Sequence, residues 1–480
     1  MTHGSISRAV ATAVATAALA TTVAAVAPGV ATAQAGKGRS LEGVWRMDGY
    51  GTVVTIAGGK LTTYDETTHS CVPGGITITQ AGPPGPDGTV RFMLGHTGLS
   101  LTPKGRDQAI EREDGGIDSK TLNRIDALPA LCTLPAPNDP LSVFDRFWED
   151  FEENYPFFAA KGIDWHAVRD EQRQKITPTT TTDRLQEILI DTLRPLGDGH
   201  TALARFVNGA PKEVFGGERP DTLPRTKELI DRAGKAVAAQ LTGPEQVFAG
   251  GKLGVGRLPD GVGYLRVSGF SRYTDGDYAS QAAELDRALD ALLADPDALS
   301  GLVIDIRLNS GGSDGLGLQI ASRLTDCPYL AYRKVARNDP ADPTKFTRPQ
   351  PITVRPSAGE HGEHGKHGEH FTGPVTLLTS SISASAAETF TQALMGRSPH
   401  VTRIGDNTQG VFSDVLRKML SPDFAVLLPN EKYLTREGTT FDGPGIAPDV
   451  RTPVFSTEEL AALKDSALST ARRILAEDER

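Results

Sequence analysis

Several things are scarce in this chain, and each scarcity narrows what it can be. Three cysteines, Cys71, Cys132 and Cys327, allow one disulfide at most within the chain. Basic residues are in the minority: 50 Lys and Arg stand against 60 Asp and Glu, a formal net charge of -10, with no basic stripe. That argues against nucleic acid or an anionic membrane surface as the main partner. Beyond the first residues no stretch approaches the ~20 apolar residues needed to span a bilayer. No internal repeat is apparent, and no Gly-x-Gly-x-x-Gly occurs in the order a dinucleotide fingerprint requires. What remains is ordinary globular composition, 38% hydrophobic and 23% charged over 480 residues, enough for two or three domains.

The first residues read as an address rather than a fold. His3 and Arg8 precede an Ala/Val/Thr-rich run from Ala9 to Val26, a Pro28-Gly29 break follows, and Ala33-Gln34-Ala35 has the small-x-small form of a signal-peptidase site. Residues 1–35 are therefore expected to be a cleaved export signal, and the mature protein to be secreted, without a transmembrane span. An oxidising compartment then favours a Cys71–Cys132 bridge. Cys327 is expected to be a small, buried, unreactive residue.

Residues 36–133 carry short alternating runs such as "GTVVTIAGGKLTTY" and "GGITIT" between Gly, Pro and Asp turns, the pattern of an antiparallel β module. A proline-bearing linker, residues 134–141, separates it from a helical segment, residues 142–205. There Phe144, Phe147, Trp148, Phe151 and Tyr155 recur at spacings of three and four, one aromatic face of a helix directed at a core. A second helix is expected from Thr182, as N-cap, to near Pro195. Residues 206–480 hold a hairpin turning at Pro259-Asp260-Gly261, a helix over Ala279 to Leu293, and two strand-to-helix units, "GLVIDIRLNSGGSDGLGLQIASRL" and "PVTLLTSSISASAAETFTQAL". Apolar strands joined by helices indicate a mixed α/β core. "GEHGEHGKHGEH" places His361, His364, His367 and His370 at every third position. Its glycines cannot preorganise a metal site, so it is expected to be a solvated loop.

Candidate chemistry gathers where strands give way to helices. Ser385 stands at the start of a helix, where free amides and the positive helix end would receive an oxyanion; the amide of Ala386 is a natural donor. Ser385-x-x-Glu388 also has capping-box spacing, which can hold for the same residue. Gly311 or Gly312 in "LNSGG" lets a second backbone donor approach closely. A serine needs a base, and His200 in "GDGHTAL" lies on a glycine turn opening a short strand.

"NYPFFAAKGIDW", "LGDGHTAL", "GYLRVSGF", "GLVIDIRLNSGG", "SASAAETF", "RIGDNTQG" and "FDGPGIAPDV", taken together and in this order, resemble the tail-specific and tricorn-type serine peptidase family. That family also contains the repeats of interphotoreceptor retinoid-binding protein. The resemblance runs from about Pro140 to Ala476. It implies a crotonase/ClpP-like ββα core, Ser385 as nucleophile, an acyl-enzyme, a peptide or protein substrate, and no metal or organic cofactor. In the tail-specific branch a lysine follows the glycine of the "GDNTQG" stretch, whereas Val411 stands here. The tricorn-like branch is therefore the one resembled, with His200 as base and Asp442, in place of a glutamate, orienting it. Gly199 replaces a serine of that branch. Amides of Ala386 and of Gly311 or Gly312 form the implied oxyanion hole, and the stretch from Ala204 to Gly254 leaves no clear room for a peptide-binding insert domain. A non-catalytic ligand-binding protein on the same fold is the alternative. Oligomeric state stays open.

Overall fold

The computed structural model describes residues 40–217, 219, 221–357 and 370–478. The expected export signal and His361, His364 and His367 lie outside the described residues.

Eight strands close into an antiparallel barrel: β1 (Gly43–Met47), β2 (Thr52–Ala57), β3 (Lys60–Glu66), β4 (Cys71–Gln80), β5 (Val90–Leu94), β6 (Thr97–Lys104), β7 (Gln108–Glu113) and β8 (Lys120–Ile125). Each strand pairs with its sequence neighbour, and β8 returns to β1, Val44 opposite Ile125. The alternation read from the sequence becomes an interior of Trp45, Val54, Phe92, Leu101 and Leu122. Cys71 and Cys132 are disulfide-bonded, so the turn after the barrel is tied to the start of β4. Closing that loop stabilises by about 2 to 4 kcal/mol, chiefly through the unfolded chain.

Helix α1 (Pro140–Asn154) starts on an Asp139 cap with proline in its first turn. It packs with α2 (Trp165–Arg173) and α3 (Thr182–Leu193), whose N-cap is Thr181 rather than Thr182. The aromatic face of α1 forms their common core with Ile188 and Leu189. The same core covers a four-stranded sheet ordered β10-β9-β20-β19, built from β9 (Ala202–Val207), β10 (Ala210–Gly216), β19 (Val415–Ser421) and β20 (Phe424–Pro429).

Between β10 and β19 lies the α/β region. Its elements are α4 (Lys227–Ala238), β11 (Gln246–Phe248), β12 (Leu253–Arg257), β13 (Val262–Val267), α5 (Tyr278–Leu292), β14 (Gly301–Asp305), α6 (Asp314–Ser322), β15 (Tyr329–Ala336), β16 (Gln350–Val354), β17 (Val375–Thr379), α7 (Ala386–Leu394) and β18 (Val401–Gly405). After β19 and β20 follow β21 (Glu431–Leu434), β22 (Val450–Arg451), α8 (Thr457–Ala461) and α9 (Ser466–Asp478). The main sheet is ordered β11-β12-β13-β14-β17-β18-β22, parallel from β13 onward. β14 and β17 are buried along their whole length, as a strand covered on both faces must be. They are neighbours, so the loops leaving their carboxyl ends, 306–313 and 380–385, lie side by side. Such a pair of loops is where open α/β sheets bind ligands.

Two expectations need comment. Cys327 is exposed, not buried, because it falls in the turn beyond α6 and its C-cap Arg323 rather than on the helix face. A ring nitrogen of His370 lies 2.9 Å from the Ser357 carbonyl, and no cluster able to hold a metal occurs among the described residues. No described helix is long and apolar enough to cross a membrane.

Candidate active site

Ser385 ends the loop from β17 and caps α7 with φ 58° and ψ -125°. A non-glycine residue at positive φ is strained, and the strain persists only where its surroundings fix it. Here its amide reaches the Val411 carbonyl at 3.0 Å and the Glu388 carboxylate at 3.2 Å. Glu388, one turn into α7, also accepts from the amides of Gly410 (2.6 Å) and Val411 (2.8 Å). Burial pushes the Glu388 carboxyl up to about 7, against the pull of these donors. The glutamate seen in the sequence as half of a capping box thus joins the serine to residues 410 and 411.

The β14 loop backs directly onto the serine. A Cβ on Gly311 would lie 2.5 Å from Ser385 Cβ and 3.1 Å from its Oγ, and φ at Gly311 is 99°. Only glycine fits. The Gly311 amide donates to Asn309 Oδ1 at 2.9 Å, and the Ser313 amide to the Phe270 carbonyl at 2.7 Å. Between them the Gly312 amide has no partner among the described residues, and neither has the first helical amide, Ala386. Of the two glycines named from sequence, Gly312 offers the open donor and Gly311 supplies the room.

His200 approaches from the other sheet, two residues before β9. The Asp198 carboxylate accepts the His200 amide at 3.0 Å through one oxygen and the Tyr155 hydroxyl at 2.7 Å through the other. The aromatic helix therefore has a functional end: Tyr155, its C-cap, fixes the histidine turn. The imidazole is buried, and burial holds its pKa below the usual value, opposed by the nearby charges of Asp198 and Asp414 and by the Ser413 carbonyl. A lowered pKa leaves the ring neutral, able to take a proton. Its Nδ1 has no hydrogen-bond partner among the described residues.

Asp442 is placed differently from the expectation. Its Oδ1 accepts the Phe412 amide at 3.1 Å and its Oδ2 the Thr440 hydroxyl, so no bond joins it to the imidazole. Burial pushes its carboxyl up to about 7, with the charges of Asp198 and Glu388 adding to the rise. The physical reason is that the carboxylate is engaged by the Phe412 amide and Thr440, and it is the next residue of the strip, Ser413, whose carbonyl faces the histidine.

That strip, "QGVFSD", is the feature that unites the site. It crosses from β18 in the main sheet to β19 in the histidine's sheet. Gln409 donates to the Ser383 carbonyl, Val411 accepts from Ser385, Phe412 donates to Asp442, and Ser413 lies against His200. Asp414 and Asn309 were not singled out from the sequence. Asn309 had a signal, since a side chain two residues before an amide commonly accepts from it in a turn; Asp414 had none.

Comparison with known proteins bears on the family and the fold. The Peptidase family S41 profile matches residues 261–452, and the Tricorn protease C1 domain profile matches residues 136–193. The chain belongs to peptidase family S41. It is accordingly a serine-type peptidase. No curated protein matches the S41 chain in sequence. Among solved structures, a candidate peptidase from Parabacteroides merdae is 24% identical, with 71% of this chain and 97% of that chain covered and a TM-score of 0.58. Mature CPAF, solved as a complex with lactacystin, is 13% identical over 70% of this chain and 97% of its own, with a TM-score of 0.50. At these identities the two structures show a shared fold.

Proposed function

We propose that this S41 peptidase is a secreted enzyme that cleaves peptide bonds through an acyl-enzyme on Ser385, with His200 as base. Ser385 Oγ attacks the scissile carbonyl while His200 takes its proton. The oxyanion that forms is received by the amides of Gly312 and Ala386. Collapse of the tetrahedral intermediate breaks the C–N bond, and His200 returns the proton to the leaving amine. Water then attacks the acyl-serine with His200 again as base, releasing the acid and restoring the serine. Asp198 and Asp414 supply the negative charge that stabilises the imidazolium, and Asp442 acts on the histidine through the backbone strip it holds. The observation that carries this reading is the strained Ser385 at the start of α7, set between two unpartnered amides.

A fluorophosphonate probe tests it. Labelling at Ser385 is expected, lost in Ser385→Ala and slowed about a thousandfold or more in His200→Ala, because the hydroxyl loses its base. Labelling that maps to Ser383, or that persists at full rate in His200→Ala, overturns the assignment. Secretion rests on the Ala33-Gln34-Ala35 pattern; mature protein beginning at Gly36, read by mass spectrometry of culture medium, is the expected result.

A further inference from the structure

The barrel's role in the peptidase is not given by its fold, but one buried ammonium connects it to the site. Lys334 on β15 is 2% exposed and holds three carboxylates from three places: Asp414 in the strip at 2.6 Å, Glu431 at the start of β21 at 3.0 Å, and Asp118 in the β7–β8 loop of the barrel at 3.0 Å. The barrel adds a second hold on the same group, since Tyr50 donates to the other oxygen of Glu431 at 2.6 Å. Ser413 is gripped from the same side. Its hydroxyl accepts from the amides of Asn430 (3.2 Å) and Glu431 (3.1 Å) and donates to the Asp414 carbonyl at 2.6 Å. The barrel loop also touches the oxyanion loop, where the Ser313 hydroxyl donates to the Gly115 carbonyl at 3.3 Å.

These contacts form one connected path from the barrel to the imidazole. We propose that Lys334 is a positioning residue: by gathering Asp118, Glu431 and Asp414 on one ammonium it makes docking of the N-terminal barrel a condition for the correct placement of His200. The inference rests on His200 being the base. An ion-pair hub without a route to the site would affect stability alone. This one ends on Ser413 and Asp414, which together with Asp198 supply the carbonyl and the charges that face the ring. A buried cation also has a sharp response to losing a partner, because Lys334 and Glu431 are then left in the wrong charge balance away from water, while Asp414 faces solvent.

The test uses barrel residues that lie outside the catalytic machinery. Asp118→Asn and Tyr50→Phe, made in the full chain, are expected to lower kcat about threefold or more with KM within about twofold. Asp118→Asn should also move the acid limb of kcat/KM to lower pH, since removing a negative charge near the hub leaves the imidazolium less stabilised. Lys334→Met should lower kcat further, and Lys334→Arg should recover most of it. Arg46→Gln, at an exposed barrel ion pair away from the hub, should be silent. If Asp118→Asn and Tyr50→Phe keep wild-type kcat and an unmoved limb while Lys334→Met lowers only the melting temperature, the hub is structural and the inference is wrong. Full probe labelling in His200→Ala is a separate outcome: it overturns the histidine reading itself, and the inference with it.

Discussion

The barrel and the α/β region bury different things. The barrel interior is mainly apolar, Trp45, Phe92, Leu101 and Leu122 among others, with one buried carboxyl, Glu111, beside Lys120, and most of its other charges lie at the surface or toward the neighbouring domain. The α/β region instead buries Arg307, Lys334, Glu388 and Asp442 at or beyond the carboxyl ends of its strands. A buried charge survives only if paired or hydrogen-bonded, so each of these had to be matched by partners distant in sequence. A mainly apolar barrel needs little beyond alternation. One region is stabilised mainly by pattern, the other by specific pairing, and Ser385 lies in the second.

The largest effect expected from this contrast is on stability. Arg307 is fully buried and makes two two-point contacts, Nε and Nη2 to Asp305 at 2.9 and 2.6 Å, and Nη1 and Nη2 to Asp465 at 2.9 and 2.8 Å. Asp465 in turn accepts the Leu468 amide in the first turn of α9, so the pair pins that helix beneath the sheet. Arg307→Met leaves both carboxylates uncompensated and should cost about 3 to 5 kcal/mol in denaturant unfolding. Arg46→Met in the barrel, at a half-exposed pair with Glu66, should cost less than about 1 kcal/mol. Equal losses would erase the distinction between the regions.

Glycine separates them in activity. Gly105 in the barrel has φ 78° and open space around its Cβ position, so Gly105→Ala carries only a local backbone cost of about 1 kcal/mol. Gly311→Ala places a methyl 2.5 Å from Ser385 Cβ at φ 99°. Either the serine or the oxyanion loop must move, and losing one donor position of this kind costs about a hundredfold in kcat. Steady-state assays should show the first variant near wild type and the second strongly impaired; wild-type turnover in Gly311→Ala would place the oxyanion elsewhere.

The same contrast explains what could be read without the structure. Alternation and Gly/Pro punctuation are local, so the antiparallel module, the helices and the strand-to-helix units were legible, though closure of the β module into a barrel was not: an open meander and a closed one have the same pattern. The Cys71–Cys132 bridge was legible because the two cysteines bracket one segment of a chain expected in an oxidising compartment. Ser385, His200 and the glycine pair were legible because short motifs carry them. The placement of Asp442 was not, since it depends on the Phe412 amide and the Thr440 hydroxyl taking the carboxylate. Lys334 is 80 residues from Asp414 and 216 from Asp118 in sequence, and nothing local distinguishes it from a surface lysine. Cys327 misled because helix adjacency suggested burial that the turn does not provide.

The smallest effect is the one that tells most about the base. His200 must be neutral to accept the serine proton, so activity should rise with pH through its pKa. Burial lowers that pKa and Asp198 is the foremost group opposing the fall, so the limb should lie below the unperturbed value of about 6.5. Asp198→Asn keeps an oxygen for the His200 amide or the Tyr155 hydroxyl but removes the charge. The imidazolium is then less stabilised, and the limb should move lower by about half a unit to one unit, with the plateau reduced several-fold. Tyr155→Phe retains the charge and removes a hydrogen bond that shares it, so its limb should stay in place or rise. Profiles of kcat/KM from pH 4 to 9 for the three proteins decide the matter. A limb that moves upward in Asp198→Asn means that a group other than His200 accepts the proton, since no loss of a neighbouring negative charge makes an imidazole more basic.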